Sequence, residues 1–164
     1  MKRRIRLFVL LCVAVWTMLA AAHASAPLPK PGPKDLCPVC GMLVSKYPSW
    51  VAIVVYSDGH PYFFDGPKDM FKYLHDVPRY TPGRRRETIA AMWVTDYYNQ
   101  GKVEATKAHY VTGSDVLGPM GHELVPLETR ADADAFLKDH KGRRILAFGD
   151  VTLEIAVNLD SGKF

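Results

Sequence analysis

An α+β fold of two similar ββαβ units with antiparallel strands is predicted by three features of the chain. β-branched and aromatic runs end in turn signals, two segments carry apolar residues at helical spacing behind a capping residue, and this order repeats across a break rich in Pro, Gly and Arg. The first half opens with "WVAIVVYS", Trp50 to Ser57, a strand. Asp58-Gly59 is a hairpin turn signal, and "PYFF", Pro61 to Phe64, is the returning strand. "DGPKDMFKYLHD" reads as a helix with Asp65 as N-cap and Pro67 in the first turn. Met70, Phe71 and Leu74 fall at i, i+1, i+4 and make one apolar face. "VPRYTPGRRRE", Val77 to Glu87, is the break, with its arginine run read as a solvated loop. "ETIAAMWVTDYY" closes the half as a strand.

In the second half "EATKAHYVTG" and "GHELVPLE" read as strands, and "TRADADAFLKDHKG" as a helix capped by Thr129. Asp132 stands three residues on, close to a capping box. "RRILAF" is the last strand of the unit, and "VTLEIAVNL" either extends it or forms a short terminal helix. The halves run from about 45 to 98 and from 103 to 148, inside a single domain of residues 36–164.

Ahead of that domain, residues 1–24 have a basic head, an apolar run from Leu7 to Ala22 and the small-x-small end "AHA", the pattern of a secretory signal peptide. The run is short for a bilayer span, which needs about 20 apolar residues. Cleavage is expected after Ala24, and Leu11 directly before Cys12 argues against lipidation there. Residues 25–35 form a linker, with four prolines among the seven residues Pro27 to Pro33. Export through a membrane follows, with the domain membrane-associated only if the leader stays uncleaved. Removing the leader takes away Lys2, Arg3, Arg4 and Arg6 and no acid, so 21 basic residues become 17, equal to the 17 acidic ones. A neutral domain lacks the basic face that nucleic-acid binding requires.

Cys37 and Cys40 are the cysteines that follow the leader, in "LCPVCGM". A thioredoxin-type pair should open a helix after a strand, whereas a proline linker precedes this pair and Gly41 follows it. Haem attachment needs a histidine where Gly41 stands. A zinc finger needs a second ligand pair, and the remaining histidines are scattered singly. A local disulfide or two idle thiols is the plain alternative. Against it stand Met42, directly after the pair, and "GPMGH", Gly118 to His122: thiolate, thioether and imidazole together suit Cu(I). On an extended segment Met120 and His122 would leave the same face, with Gly118 and Gly121 freeing the backbone to bend. The competing view puts Met120 in the core and His122 on the surface. His60, His75, His109 and His140 are assigned no ligand role, and Met70 and Met92 fit apolar faces. With no hydrolase elbow, phosphate loop or dinucleotide fingerprint, no enzyme is expected.

Taken together, "CPVCGM", "YPSWVAIVVYSDGHPYFFDGPKDMFKYL", "GPMGHELVP" and "ADAFLKDHKG" resemble the NosL family, the accessory copper chaperones of nitrous oxide reductase. The resemblance extends from about Leu36 to Phe148. It implies a fold similar to part of organomercurial lyase, and a periplasmic Cu(I)-binding protein serving denitrification, with nitrous oxide reductase or its maturation machinery as partner. A weak homodimer is left open, and no stable membrane anchor is expected for this chain once the leader is cleaved. The family's Met-x-His copper ligands fall on Met120 and His122. Many members add a lipid-anchored N-terminal cysteine, which this chain lacks, so Cys37 or Cys40, with Met42 beside them, are the substitute sulfur donors. The alternative function is a periplasmic thiol–disulfide oxidoreductase using Cys37 and Cys40.

Overall fold

In a computed structural model of the chain, residues 27–164 are described. The leader, its cleavage point and Cys12 lie outside the described residues. The chain divides into a segment Met1–Lys30, whose described residues 27–30 have no regular secondary structure, and a compact body Pro31–Phe164.

The body holds the two expected ββαβ units. In the first, β1 (Ala52–Tyr56) pairs with β2 (Pro61–Phe64) and β3 (Ile89–Thr95), and β4 (Lys102–Glu104) adds to β3, giving the antiparallel order β2-β1-β3-β4. β1 is central because its "AIVVY" run is apolar on both faces: four of its five residues are buried. Gly59, at φ 83°, turns the β1–β2 connection. Helices α1 (Pro67–His75) and α2 (Val77–Tyr80) follow β2. In the second unit β5 (His109–Thr112) is central, between β8 (Val125–Leu127) and β9 (Arg144–Ala147), and α3 (Arg130–Asp139) joins the last two. Helix α4 (Leu153–Asn158) resolves the choice left open for "VTLEIAVNL" in favour of a helix, capped by Thr152. Among the described residues no helix is long and apolar enough to cross a membrane.

The second unit carries an insertion that its twin lacks. The segment expected as a single strand, "GHELVPLE", is two: β7 (Gly121–His122), which pairs with β6 (Leu117–Gly118) in a small hairpin of its own, and β8. Likewise "EATKAHYVTG" is the end of β4, a turn and β5. The arginine run is not simply solvated. Arg84 pairs with Asp58 at 2.6 Å and lies over the Tyr56 ring, and Arg86 donates to the Leu74 carbonyl.

Most of the core is one cluster that spans both units. β1, α1 and β2 supply Ile53, Phe64, Met70 and Phe71, and the other half adds Tyr110, Leu124 and Leu146. A smaller cluster of Val111, Val125, Leu127, Ala133 and Phe136 lies under α3. Met70 is core, as its helical spacing predicts, and Met92 packs half-buried against the same cluster.

Candidate metal centre

Residues 35–44 form a closed knuckle. Leu36 and Leu43 bridge antiparallel, the Cys37 amide donates to the Met42 carbonyl at 2.8 Å, and the Gly41 amide donates to the Cys37 carbonyl at 2.8 Å. The chain reverses at Gly41, whose φ of 78° lies in the region that glycine enters without a Cβ penalty. This is the positive reason for Cys-x-x-Cys-Gly: the glycine turns the chain so that both thiols stay within the loop. Cys37 is buried and Cys40 half-buried, both free thiols, and Met42 is half-buried beside them.

The thiols meet two carboxylates from the β2–α1 junction. Cys37 Sγ lies 3.5 Å from Asp69 Oδ2 and Cys40 Sγ 3.2 Å from Asp65 Oδ1. One donor atom from each of the four residues falls within 4.8 Å of the others. Asp65 is 1% and Asp69 3% exposed, and Asp65 Oδ2 is buried without a hydrogen-bond partner among the described residues. Asp69 Oδ1 has an ion pair with Lys72 at 3.3 Å. The hydrogen bond with Cys40, burial, and the charges of Asp69 and Asp65 all push the Cys37 thiol far up from its usual range.

Asp65 is therefore not the N-cap expected of it. Gly66 occupies that position with extended backbone and no capping side chain, while Pro67 fills the first helical position, where a missing N–H costs nothing. The next amide, of Lys68, is capped from the other half of the molecule: it donates to Glu123 Oε1 at 2.6 Å. Glu123 is fully buried, and burial raises its carboxyl to about 8. Its carboxylate lies so close to Gly66 that a Cβ there would collide with it. Because Glu123 caps the helix, the Asp65 carboxyl is free to face the thiols.

On the other side of the same first turn is the β6–β7 hairpin. Pro119 and Met120 form its two-residue turn, followed by Gly121 at φ 82°. Met120 is thus in a turn rather than on an extended strand, so the expected same-face placement does not apply to it; Pro119, with its fixed φ, sets the turn there. Met120 is 44% exposed. Its carbonyl accepts from the ammonium of the buried Lys68 at 2.9 Å, and that ammonium also pairs with Asp160 at 3.0 Å. His122 is half-buried, its ring edge-to-face with Phe164 at 4.8 Å, and its Nδ1 is buried without a hydrogen-bond partner among the described residues. So Lys68 anchors the hairpin while its neighbour Asp69 meets Cys37. His122 is not part of the Cys–Asp group.

Sequence reasoning singled out both cysteines but passed over Asp69 and gave Asp65 another role. The signal was present: the two aspartates are four apart at the start of a predicted helix, a spacing that puts side chains one turn apart.

No curated protein matches the chain. Among solved structures, the copper chaperone NosL from Shewanella denitrificans superposes with a TM-score of 0.64 at 22% identity, over 77% of this chain and 96% of that one. The solution structure of apo-NosL from Achromobacter cycloclastes is 27% identical, with a TM-score of 0.45 over 64% of this chain and 87% of that one. The first shares the architecture of paired antiparallel units just described. Residues 28–156, well over half of the chain, match the NosL family, and the chain belongs to it.

Proposed function

We propose that this chain is a periplasmic Cu(I) chaperone that assists assembly of the copper centres of nitrous oxide reductase. The observation that carries this reading is the β6–β7 hairpin. It presents an exposed residue, Met120, two positions from an imidazole, His122, whose buried Nδ1 has no hydrogen-bond partner among the described residues. Thioether and imidazole suit Cu(I), and a two-ligand platform at a hairpin tip leaves room for a donor of the delivering or receiving protein. Transfer then proceeds by ligand exchange, without dismantling a closed site. The buried Lys68 fixes the turn from beneath through the Met120 carbonyl. A thiolate from the pair was the expected third donor. Both sulfurs are engaged by Asp65 and Asp69, so the copper reading rests on Met120 and His122.

The family membership supports the chaperone class, and the secretory pattern of residues 1–24 supports export. The thiol–disulfide alternative asks for an accessible, low-pKa thiolate. Cys37 is buried, and its surroundings push its thiol the other way.

In anaerobic titration against a chromophoric Cu(I) chelator, the double substitution Met120→Ala, His122→Ala is expected to weaken binding at least tenfold, about 1.4 kcal/mol. X-ray absorption of the loaded protein should show both sulfur and nitrogen neighbours. Unchanged affinity in the double variant, with an all-sulfur copper, would refute the assignment and move the ion to the cysteines.

A further inference from the structure

We infer that residues 160–164 complete the copper platform: Phe164 holds the His122 ring so that Nε2 is the nitrogen offered to Cu(I), and Gly162 keeps the space beside that nitrogen open. The inference rests on the reading of Met120 and His122 as the copper donors, and it assigns two positioning residues to them.

The two ring nitrogens of His122 differ in access. Nδ1 is shut inside the protein, with no hydrogen-bond partner among the described residues. An atom enclosed in that way does not meet an ion that has to arrive and leave. Nε2 stands next to Gly162: a Cβ on that glycine would lie 3.4 Å from Nε2 and 3.5 Å from Cδ2. Those are contact distances, so a side chain there would occupy the approach to the nitrogen. Gly162, at φ 65°, also ends the turn Leu159–Ser161, a left-handed position that asparagine holds as well. Asparagine would satisfy the backbone and fill the space, which separates the two reasons for a glycine.

The segment is braced against the imidazole from both ends. The Phe164 ring stands edge-to-face with His122, centroids 4.8 Å apart and planes at 80°, and the Arg143 guanidinium lies over the same phenyl ring at 5.0 Å. At the other end Asp160 pairs with Lys68 at 3.0 Å and Lys72 at 2.7 Å, while Lys68 donates to the Met120 carbonyl at 2.9 Å. One buried ammonium therefore ties down both the turn that carries Met120 and the segment that carries Gly162 and Phe164.

The arrangement also sets how tightly the ion is held. With Cu(I) on Nε2, the neutral ring keeps its single proton on Nδ1. A ligating histidine usually donates that N–H to a carboxylate or carbonyl, which makes the ring a stronger donor. No such acceptor is in place among the described residues, so the imidazole is a weaker donor and the copper is easier to pass on.

The nitrogen is read on the purified full-length chain, with isotope-labelled histidine, titrated anaerobically with Cu(I) alone and followed by imidazole nitrogen NMR. The copper-induced shift should fall on His122 Nε2, with the proton on Nδ1. Gly162→Asn should weaken Cu(I) binding at least tenfold against a chromophoric chelator while Tm stays near that of the parent. Phe164→Leu keeps apolar bulk but no ring edge. It should weaken binding at least threefold and speed the modification of His122 by diethyl pyrocarbonate in the metal-free chain, and Phe164→Tyr should restore both. A copper-induced shift on Nδ1, or Gly162→Asn and Phe164→Leu chains that bind Cu(I) as the parent does, would overturn the inference and leave the copper donors standing. If Met120→Ala with His122→Ala bound as tightly as the parent, the donors themselves would be wrong and the inference would fall with them.

Discussion

Helices α1 and α3 occupy the same place in the two ββαβ units, yet they are held in opposite ways. Seven of the nine residues of α1 are buried, Lys68 and Asp69 among them, whereas α3 buries only Ala133 and Phe136 of its ten. Thr129 caps α3 locally, its hydroxyl accepting from the Asp132 amide and donating to the Asp132 carboxylate at 2.6 Å. The N-cap of α1 is Gly66, and its orphan amide is satisfied by Glu123, fifty-five residues away. A helix stabilised by its own side chains can afford an exposed polar face. Polar groups in the buried first turn of α1 must instead find partners elsewhere in the chain, and those partners are the site: thiols on one side, the Met–His hairpin on the other. In this repeat, chemistry accumulates where capping is long-range.

The comparison is tested hardest in the core. Phe136 is fully buried, edge-to-face with Tyr97 at 4.9 Å, and is the largest side chain of the small cluster under α3. Phe136→Ala should cost about 3–5 kcal/mol in urea denaturation. No candidate ligand lies on α3, so the fraction that remains folded should bind Cu(I) as before. Altered metal affinity there would mean that the two units do not divide stability from chemistry as argued.

The next effect belongs to α1. Gly66 has φ −165°, extended backbone that any residue adopts, so Ala brings no strain of its own. Its Cβ, however, would collide with the Glu123 carboxylate, which is buried and committed to the Lys68 and Leu124 amides. Gly66→Ala should therefore destabilise by about 1–3 kcal/mol. A Cβ at Gly149 meets nothing within 4 Å, and Gly149→Ala should stay within about 0.5 kcal/mol. Equal behaviour of the two variants would remove Glu123 as the cap of α1.

This contrast also explains what sequence could and could not reveal. The three strands expected of the first unit, the hairpin–helix–strand order and the Thr129 cap were legible, because each depends on neighbours within a few residues: β-branched runs, Asp58-Gly59, Thr129 with Asp132. Met120, His122, Cys37 and Cys40 stood out because sulfur and imidazole are rare and carry recognisable chemistry. Asp65 misled because an aspartate before a proline and a helical pattern looks like a cap, and its displacement by Glu123 is a tertiary event that no local rule encodes. Asp69 was overlooked for the same reason. An acid in the first turn of a helix is ordinary until a thiol from the knuckle is found 3.5 Å away.

The sheets differ too, since β4 on the edge of the first has no counterpart in the second. Lys102 on that strand is half-buried, its ammonium near the Val51 carbonyl and the Thr95 hydroxyl, and burial lowers it to about 8 from 10.5. A lysine depressed in the fold costs stability while both states are charged, and the cost fades as pH rises. The parent chain should gain stability between about pH 8 and 10.5, by on the order of 2 kcal/mol. Lys102→Met should lose that rise and be the more stable protein at pH 7, since Thr95 already donates to the Val51 carbonyl. Chemical denaturation at pH 7 and pH 10 compares them directly. Parallel pH curves would show that water still reaches the ammonium.

The smallest effect is expected at Thr129. Removing a threonine cap costs about 1 kcal/mol, and replacing it with glycine only a few tenths. The first turn of α3 is exposed, so water can reach the amide of Asp132 once the hydroxyl is gone. Thr129→Ala should accordingly lower stability by about 1 kcal/mol and Thr129→Gly by less, with the Asp132 carboxylate still favourable near the positive end of the helix. In α1 the ranking reverses. There glycine is the native residue and alanine the harmful one, because the acceptor comes from across the molecule and needs the space. If alanine at 129 proved more damaging than alanine at 66, the local cap would outweigh the distant one, and burial of the first turn of α1 would no longer account for where the candidate ligands gather.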